Sequence, residues 1–219
     1  MPHSAHPPQP AQLTAELARA PLDALAHDAT YAESEFVDLE LGGQQARGVS
    51  LDTVRLTGVD LSGSGLEHLS LSDVEVSGAN LANVEARGAA LTRVAIASSR
   101  LTGITLTEAR LQDVAVEGCR VDLATFGFSR LTRVTFADCL LAQTSFLATN
   151  LDSVRFHACD LSGADFRGAS LRACEFRRCD LGGLEGVQNL RGAAMEWADI
   201  VGMAGLWAAA LGIGVLDAD

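Results

Sequence analysis

The sequence contains no lysine: all sixteen basic residues are arginine, set against twenty-eight acids. The net charge of −12 and a pI near 4.7 argue against direct nucleic-acid binding, because phosphate recognition rests on a net positive surface. Met1 to Pro10 lacks a basic stretch followed by an apolar run, so no signal peptide is evident. Only one uncharged run approaches membrane length. Ile200 to Leu216 is seventeen residues, rich in Gly and Ala, and bracketed by Asp199 and Asp217 with no basic flank. That is the short limit of a span, and no membrane association is expected.

Catalytic patterns are also missing. His3 and His6 sit in a Pro-rich tail, His27 lies near a helical segment suggested below, and His68 and His157 fall on outward positions of the repeat described below. No two have a metal-ligand spacing, and none pairs with Cys or Ser in a recognisable motif. The Gly pairs Gly42-Gly43 and Gly182-Gly183 precede no helix and are read as corners, not phosphate loops. No catalytic, metal or cofactor site is expected, and the chain is read as a non-enzyme.

What the sequence does contain is a period. An apolar residue recurs every five positions from Phe36 to Leu181, thirty times, without insertion or deletion. Fourteen of the fifteen centres from Leu41 to Leu181 in steps of ten are leucine, Val121 being the exception. The alternate centres are mixed up to Val116 and become phenylalanine at Phe126, Phe136, Phe146, Phe156, Phe166 and Phe176. Two residues before each centre, from Ser34 to Cys179, stands a second restricted set: Val, Ala, Cys, Ser, Thr, Leu or Ile, with Gln44 the one long polar residue. Neither set holds Asp, Glu or Arg. Two inward positions separated by one outward residue is strand alternation, whereas a helix needs a period near 3.6. The remaining two residues must turn the chain, and Gly recurs two positions after the centre, as at Gly43, Gly58, Gly103 and Gly163, where a corner would need positive φ.

A short fixed period signals a solenoid. All five cysteines occupy the small inward set, and Cys119, Cys139, Cys159 and Cys179 are spaced by twenty, the step of a four-faced coil. Stacked at the strand spacing of about 4.8 Å their Cβ atoms would lie outside disulfide range. They read as reduced, buried small hydrophobes, which favours a reducing compartment and a cytoplasmic location.

Segments such as Ala79-Asn80-Leu81-Ala82-Asn83 and Ala164-Asp165-Phe166-Arg167-Gly168 resemble the A(D/N)LXX units of the pentapeptide-repeat family. The resemblance covers about two thirds of the chain and implies a right-handed, four-sided β-helix, here of seven and a half coils and roughly 36 Å at the usual strand spacing. The expected organisation is an N-terminal tail with a short helical cap over 1–33, the β-helix over 34–193, and a C-terminal helix and tail over 194–219. Residues 1–10, with Pro2, Pro7, Pro8 and Pro10, read as disordered. Leu13, Leu17 and Leu25 suggest a helical segment near 11–27, interrupted at Pro21. A C-terminal helix is expected over 200–211, with Asp199 as N-cap and Gly212 as stop, carrying the stripe Ile200, Met203, Trp207 and Leu211.

Two surfaces stand out. The C-terminal stripe, with Trp197, would serve either as an intrachain cap or as a homodimer contact, as the resemblance to quinolone-resistance members implies. Arg100 and Arg120 would stack on one face of a four-sided rod, with Arg110 and Arg130 on the opposite one, forming a mid-rod girdle. The function expected is a non-catalytic interaction scaffold for a protein partner. The alternative, implied by the resemblance, is a DNA-mimicking modulator of a type II topoisomerase that binds gyrase. The girdle and the spread of acids weigh against mimicry, since residues 36–185 carry a net charge of only −5, with the remainder at the two ends.

Overall fold

The computed structural model describes residues 5–13, 17–19 and 21–214. Parallel strands recur every twenty residues: β1 (Ala18–Arg19), β2 (Thr30–Val37), β3 (Ser50–Thr57), β4 (Ser70–Ser77), β5 (Ala90–Ala97), β6 (Arg110–Glu117) and β7 (Arg130–Ala137). Beyond these the eight-residue strand divides at its corner into β8 (Asn150–Asp152) and β9 (Arg155–His157), then β10 (Ser170–Arg172) and β11 (Glu175–Arg177), with β12 (Ala194–Met195) closing the sheet. Register is unbroken, Leu51 pairing with Leu71, Leu71 with Leu91 and Leu91 with Leu111. The other two faces are joined by parallel bridges at the same step, such as Arg100 to Arg120 and Thr105 to Thr125. The architecture is a parallel β-solenoid of about nine turns, end turns included.

Every fifth residue from Asp28 to Gly183 has a φ between 48° and 70°. Glycine takes eleven of these corners, and every non-glycine residue with positive φ among the described residues lies on the same lattice. Aspartate and asparagine tolerate this region comparatively well, but Leu123 and Phe128, both at φ 60°, do not. In two corners of most coils the centre carbonyl accepts the N–H three residues on, as from Ser64 to Leu61 (3.2 Å) and Leu69 to Leu66 (3.1 Å). The lattice starts earlier than the sequence indicated: Asp28 is its first corner, and Tyr31 packs edge-on against Phe36 at 6.1 Å.

Both inward sets fill the interior. Leu91, Leu111 and Phe136 are buried, as their positions require. From Phe126 onward the rings form two stacked columns: Phe126, Phe146 and Phe166 at 5.3 and 4.8 Å, and Phe136, Phe156 and Phe176 at 5.3 and 4.9 Å. Rings of the two columns meet edge to face at 5.6 to 6.4 Å. The first half of the rod has smaller centres, and there a cavity of about 60 Å³ remains, lined by aliphatic side chains and Phe36. Small polar residues of the inner set are satisfied by the coil beneath. Ser129 Oγ donates to the Leu106 carbonyl (2.7 Å) and Thr149 Oγ1 to that of Phe126 (2.8 Å). The four-cysteine column does the same, Cys139 Sγ donating to the Val116 carbonyl at 3.5 Å. All five cysteines are free; hydrogen bonding to Cys139 and burial hold Cys119 and Cys159 above the ordinary thiol range, and burial pushes Cys174 up to about 11.

The ends differ from expectation. The described part of 11–27 holds no helix: Ala18–Arg19 is a strand paired with Ser34 and Glu35, and Leu22 and Leu25 cover the core behind it. Residues 14–16 and 20 of that stretch lie outside the described residues. An exposed sheet edge offers unpaired backbone groups, and its claim on this segment outweighs weak helical spacing. At the other end the lattice stops at Gly186, where a Cβ would come within 2.5 Å of the Arg167 backbone nitrogen. The turn Val187–Leu190 and β12 then lead into two short helices, α1 (Trp197–Gly202) and α2 (Ala204–Ala210).

Candidate interaction surfaces

The single helix expected over 200–211 is broken at Met203, whose side chain turns inward and is 2% exposed. The N-cap of α1 is Glu196, not Asp199. The Asp199 carboxylate instead accepts the Arg178 backbone N–H at 3.0 Å, tying the cap to the last coils. Gly212 ends α2 as its type suggested: at φ 71° its N–H reaches the Ala209 carbonyl, and that of Ile213 reaches Ala208. This is the paired closure of a Schellman motif. The expected stripe is thereby divided. Met203 and Trp207 pack on the rod, while Trp197 (77% exposed), Val201, Leu211 (75%) and Ile213 face outward, with Ile200 at the margin. Residues 215–219 lie outside the described residues.

Arg100, Arg110, Arg120 and Arg130 are all exposed. Arg100 stands in register with Arg120, and Arg110 with Arg130, half a coil away. Arg120 lies 3.4 Å from Asp122; among the described residues the other three make no ion pair. Like charges stacked in register hold together only because water screens them.

A third surface was not singled out from the sequence. One corner column runs Asp73, Arg93, Asp113, Arg133 in steps of twenty. Arg93 grips Asp73 with two bonds (2.7 and 2.5 Å), and Arg133 grips Asp113 likewise (both 2.6 Å). The Asp113 side chain is only 2% exposed. These guanidinium bonds, opposed by burial, hold both carboxyls below the ordinary carboxylate range. Along this column lies the N-terminal segment. The Gln12 N–H donates to Asp73 Oδ1 (2.9 Å), the Gln9 N–H to Asp113 Oδ1 (3.0 Å), and the Ala5 N–H to Glu175 Oε1 (3.2 Å), while Arg155 donates to the Ala5 carbonyl. Residues 5–13 are therefore a strap laid across the strands, and the disorder expected for 1–10 does not hold where the segment is described. Residues 1–4 lie outside the described residues. The outward column beside the strap is small at its middle, Ala95, Ala115 and Thr135, all half-buried.

No cluster of His, Cys, Asp and Glu able to hold a metal occurs among the described residues, and no helix there is long and apolar enough to cross a membrane. A family model described as a pentapeptide repeat region matches residues 109–185. Over those residues the rod is a pentapeptide-repeat β-helix. The same corner lattice carries the pentapeptide-repeat geometry back to Asp28, well before the matched segment. No curated protein matches the chain. Among solved structures, full-length QnrB1, a plasmid-mediated fluoroquinolone resistance protein, is 17% identical; the alignment covers 84% of this chain and 100% of that one, with a TM-score of 0.35. A trypsin-treated variant of QnrB1 is also 17% identical over 89% of this chain and 99% of that one, with a TM-score of 0.36. The pentapeptide-repeat protein Rfr23 from the cyanobacterium Cyanothece 51142 is 16% identical over 56% of this chain and 88% of that one, with a TM-score of 0.35.

The pentapeptide-repeat pattern held one unused signal for the third surface. Acid and arginine alternate at a step of twenty through Asp73, Arg93, Asp113 and Arg133, a regularity visible only once the coil length is fixed.

Proposed function

We propose that this protein is a non-catalytic interaction scaffold, a rigid pentapeptide-repeat rod that presents side chains to a protein partner and pairs with a second copy through its C-terminal cap. The observation that carries this reading is the exposure of Trp197, Val201, Leu211 and Ile213 within one short cap, where the much longer rod exposes only Leu123, Phe128 and Leu140 among its described large hydrophobics. Tryptophan and aliphatic anchors clustered in one patch are what protein contacts use. The mid-rod arginines supply a second, polar feature for a partner to read.

The pairing is tested by sedimentation of the native chain and of a Trp197→Glu/Leu211→Glu variant. A native dimer that becomes a folded monomer supports it, and a native monomer removes it. The topoisomerase reading draws on the rod shape and the net charge of −12. Exposed arginines at Arg100, Arg110, Arg120 and Arg130 place positive rungs where a duplex mimic needs negative ones, so the scaffold reading is preferred. Inhibition of purified gyrase supercoiling by the native chain would reverse that preference.

A further inference from the structure

The strap and its seat match in period. In a polyproline II chain three residues advance about 9.3 Å, and two coils of a β-solenoid advance about 9.6 Å. Gln9 and Gln12 are three residues apart, and their acceptors Asp113 and Asp73 are two coils apart. Over Ala5 to Gln12 the same chain advances roughly 22 Å, which the four to five coils from the Arg155–Glu175 site to Asp73 match at about 4.8 Å each. Pro7, Pro8 and Pro10 favour that conformation and have no N–H, which leaves Gln9 as the one donor among them. The seat is built to receive such a chain. Its carboxylates are already oriented by Arg93 and Arg133, and its neighbouring outward column is small at Ala95 and Ala115. Yet the strap is lightly held. Apart from buried Ala5, its described residues are exposed or half-buried, and its polar ties are to backbone groups that any extended chain presents.

We propose that this corner column is a recognition groove for an extended, proline-rich segment of a partner protein, and that residues 5–13 occupy it in cis. The carboxylates of Asp73 and Asp113 read backbone N–H groups three residues apart, and Arg155 and Glu175 clamp the chain's first residue. Access by a partner is gated by release of the strap, since a site occupied in cis weakens an outside ligand by the fraction of time it stands open. The proposal deepens the scaffold reading and rests on it.

The probe is a synthetic peptide of the strap's own sequence, Ala5 to Leu13, with a fluorophore at its C-terminus. It is titrated against the full native chain and against a strap-released variant, Ala5→Glu/Gln9→Pro/Gln12→Pro, which sets a carboxylate against Glu175 and deletes both central donors while leaving every solenoid residue in place. The expected result is saturable binding to the variant, at least about tenfold weaker binding to the native chain, and loss of binding when the peptide itself carries proline at both glutamine positions. Equal affinity for the two proteins, or no binding to either, overturns the proposal. A native-chain measurement runs beside it. Amide exchange at Gln9 and Gln12 should be slow and should accelerate under excess peptide; exchange already fast without peptide overturns the cis occupancy. Should sedimentation show that copies exchange straps, with a native dimer lost in the strap variant, the groove's occupant is a second copy and the partner assignment falls. Failure of the peptide while Trp197→Glu/Leu211→Glu still dissociates a dimer would remove the groove and leave the scaffold reading standing.

Discussion

The most consequential single residues are the ones that break the lattice's habit of keeping charge outside. Asp113 is buried, gripped by two bonds from Arg133, and accepts the Gln9 N–H. Its folded pKa is depressed by Arg133 first, so its contribution is present above the unfolded carboxylate pKa of about 3.9 and is lost as pH falls through the depressed value. Asp73 behaves alike through Arg93. Thermal melts between pH 7 and pH 2.5 should therefore fall below about pH 4, and Asp113→Asn should flatten that fall while costing on the order of 1–2 kcal/mol at neutral pH. An unaltered acid limb in the variant would show the column is not responsible. Phe146 sits fully buried between Phe126 and Phe166, with Phe136 and Phe156 edge-on to it. Phe146→Ala should cost about 3–5 kcal/mol, read from denaturant midpoints, because a rigid ring column on either side has little freedom to collapse into the gap.

At the scale of elements, the C-terminal cap divides one apolar stripe between two tasks. Trp207 packs on the rod end with its indole nitrogen buried and unpartnered, while Trp197 points to solvent. Trp207→Glu should accordingly lower the melting temperature and expose the last coils, whereas Trp197→Glu should leave stability within about 0.5 kcal/mol of the native chain. Equal loss in both would contradict the division. The cap also shows what could be read from sequence and what could not. The five-residue period has no alternative explanation, and one slip would turn the whole buried set outward, so the faces and corners were legible from Phe36 to Leu181. The stop at Gly212 was legible because its chemistry is local. The break at Met203 was not, since its cause is the docking of that side chain onto residues far away in sequence. The strap was hidden more deeply: its proline-rich composition offers no apolar payload, and its partners Asp113 and Asp73 lie 104 and 61 residues on. Composition measures what a segment can bury, whereas this segment is placed by what its backbone can donate.

At the scale of the whole molecule, one rod is built in two fillings under a single backbone. The strap crosses strands from both halves, reaching from the Arg155–Glu175 site to Asp73. Coupling across the solenoid is otherwise nearest-neighbour, so among the described residues a chain laid along its axis is the one element that touches distant coils directly. The two fillings bear on how the molecule should answer compression. Unfolding under hydrostatic pressure is driven by internal void volume that water can claim, and the cavity of about 60 Å³ lies where the centres are aliphatic and the phenylalanine columns have not begun. Raised pressure should therefore open the coils from Phe36 to Leu106 before those from Phe126 to Phe176, with amide signals of the first half vanishing at the lower pressure. Heat, which answers to total buried surface more than to trapped space, need not respect the same boundary. The molecule would then be one body to a thermometer and two bodies to a piston.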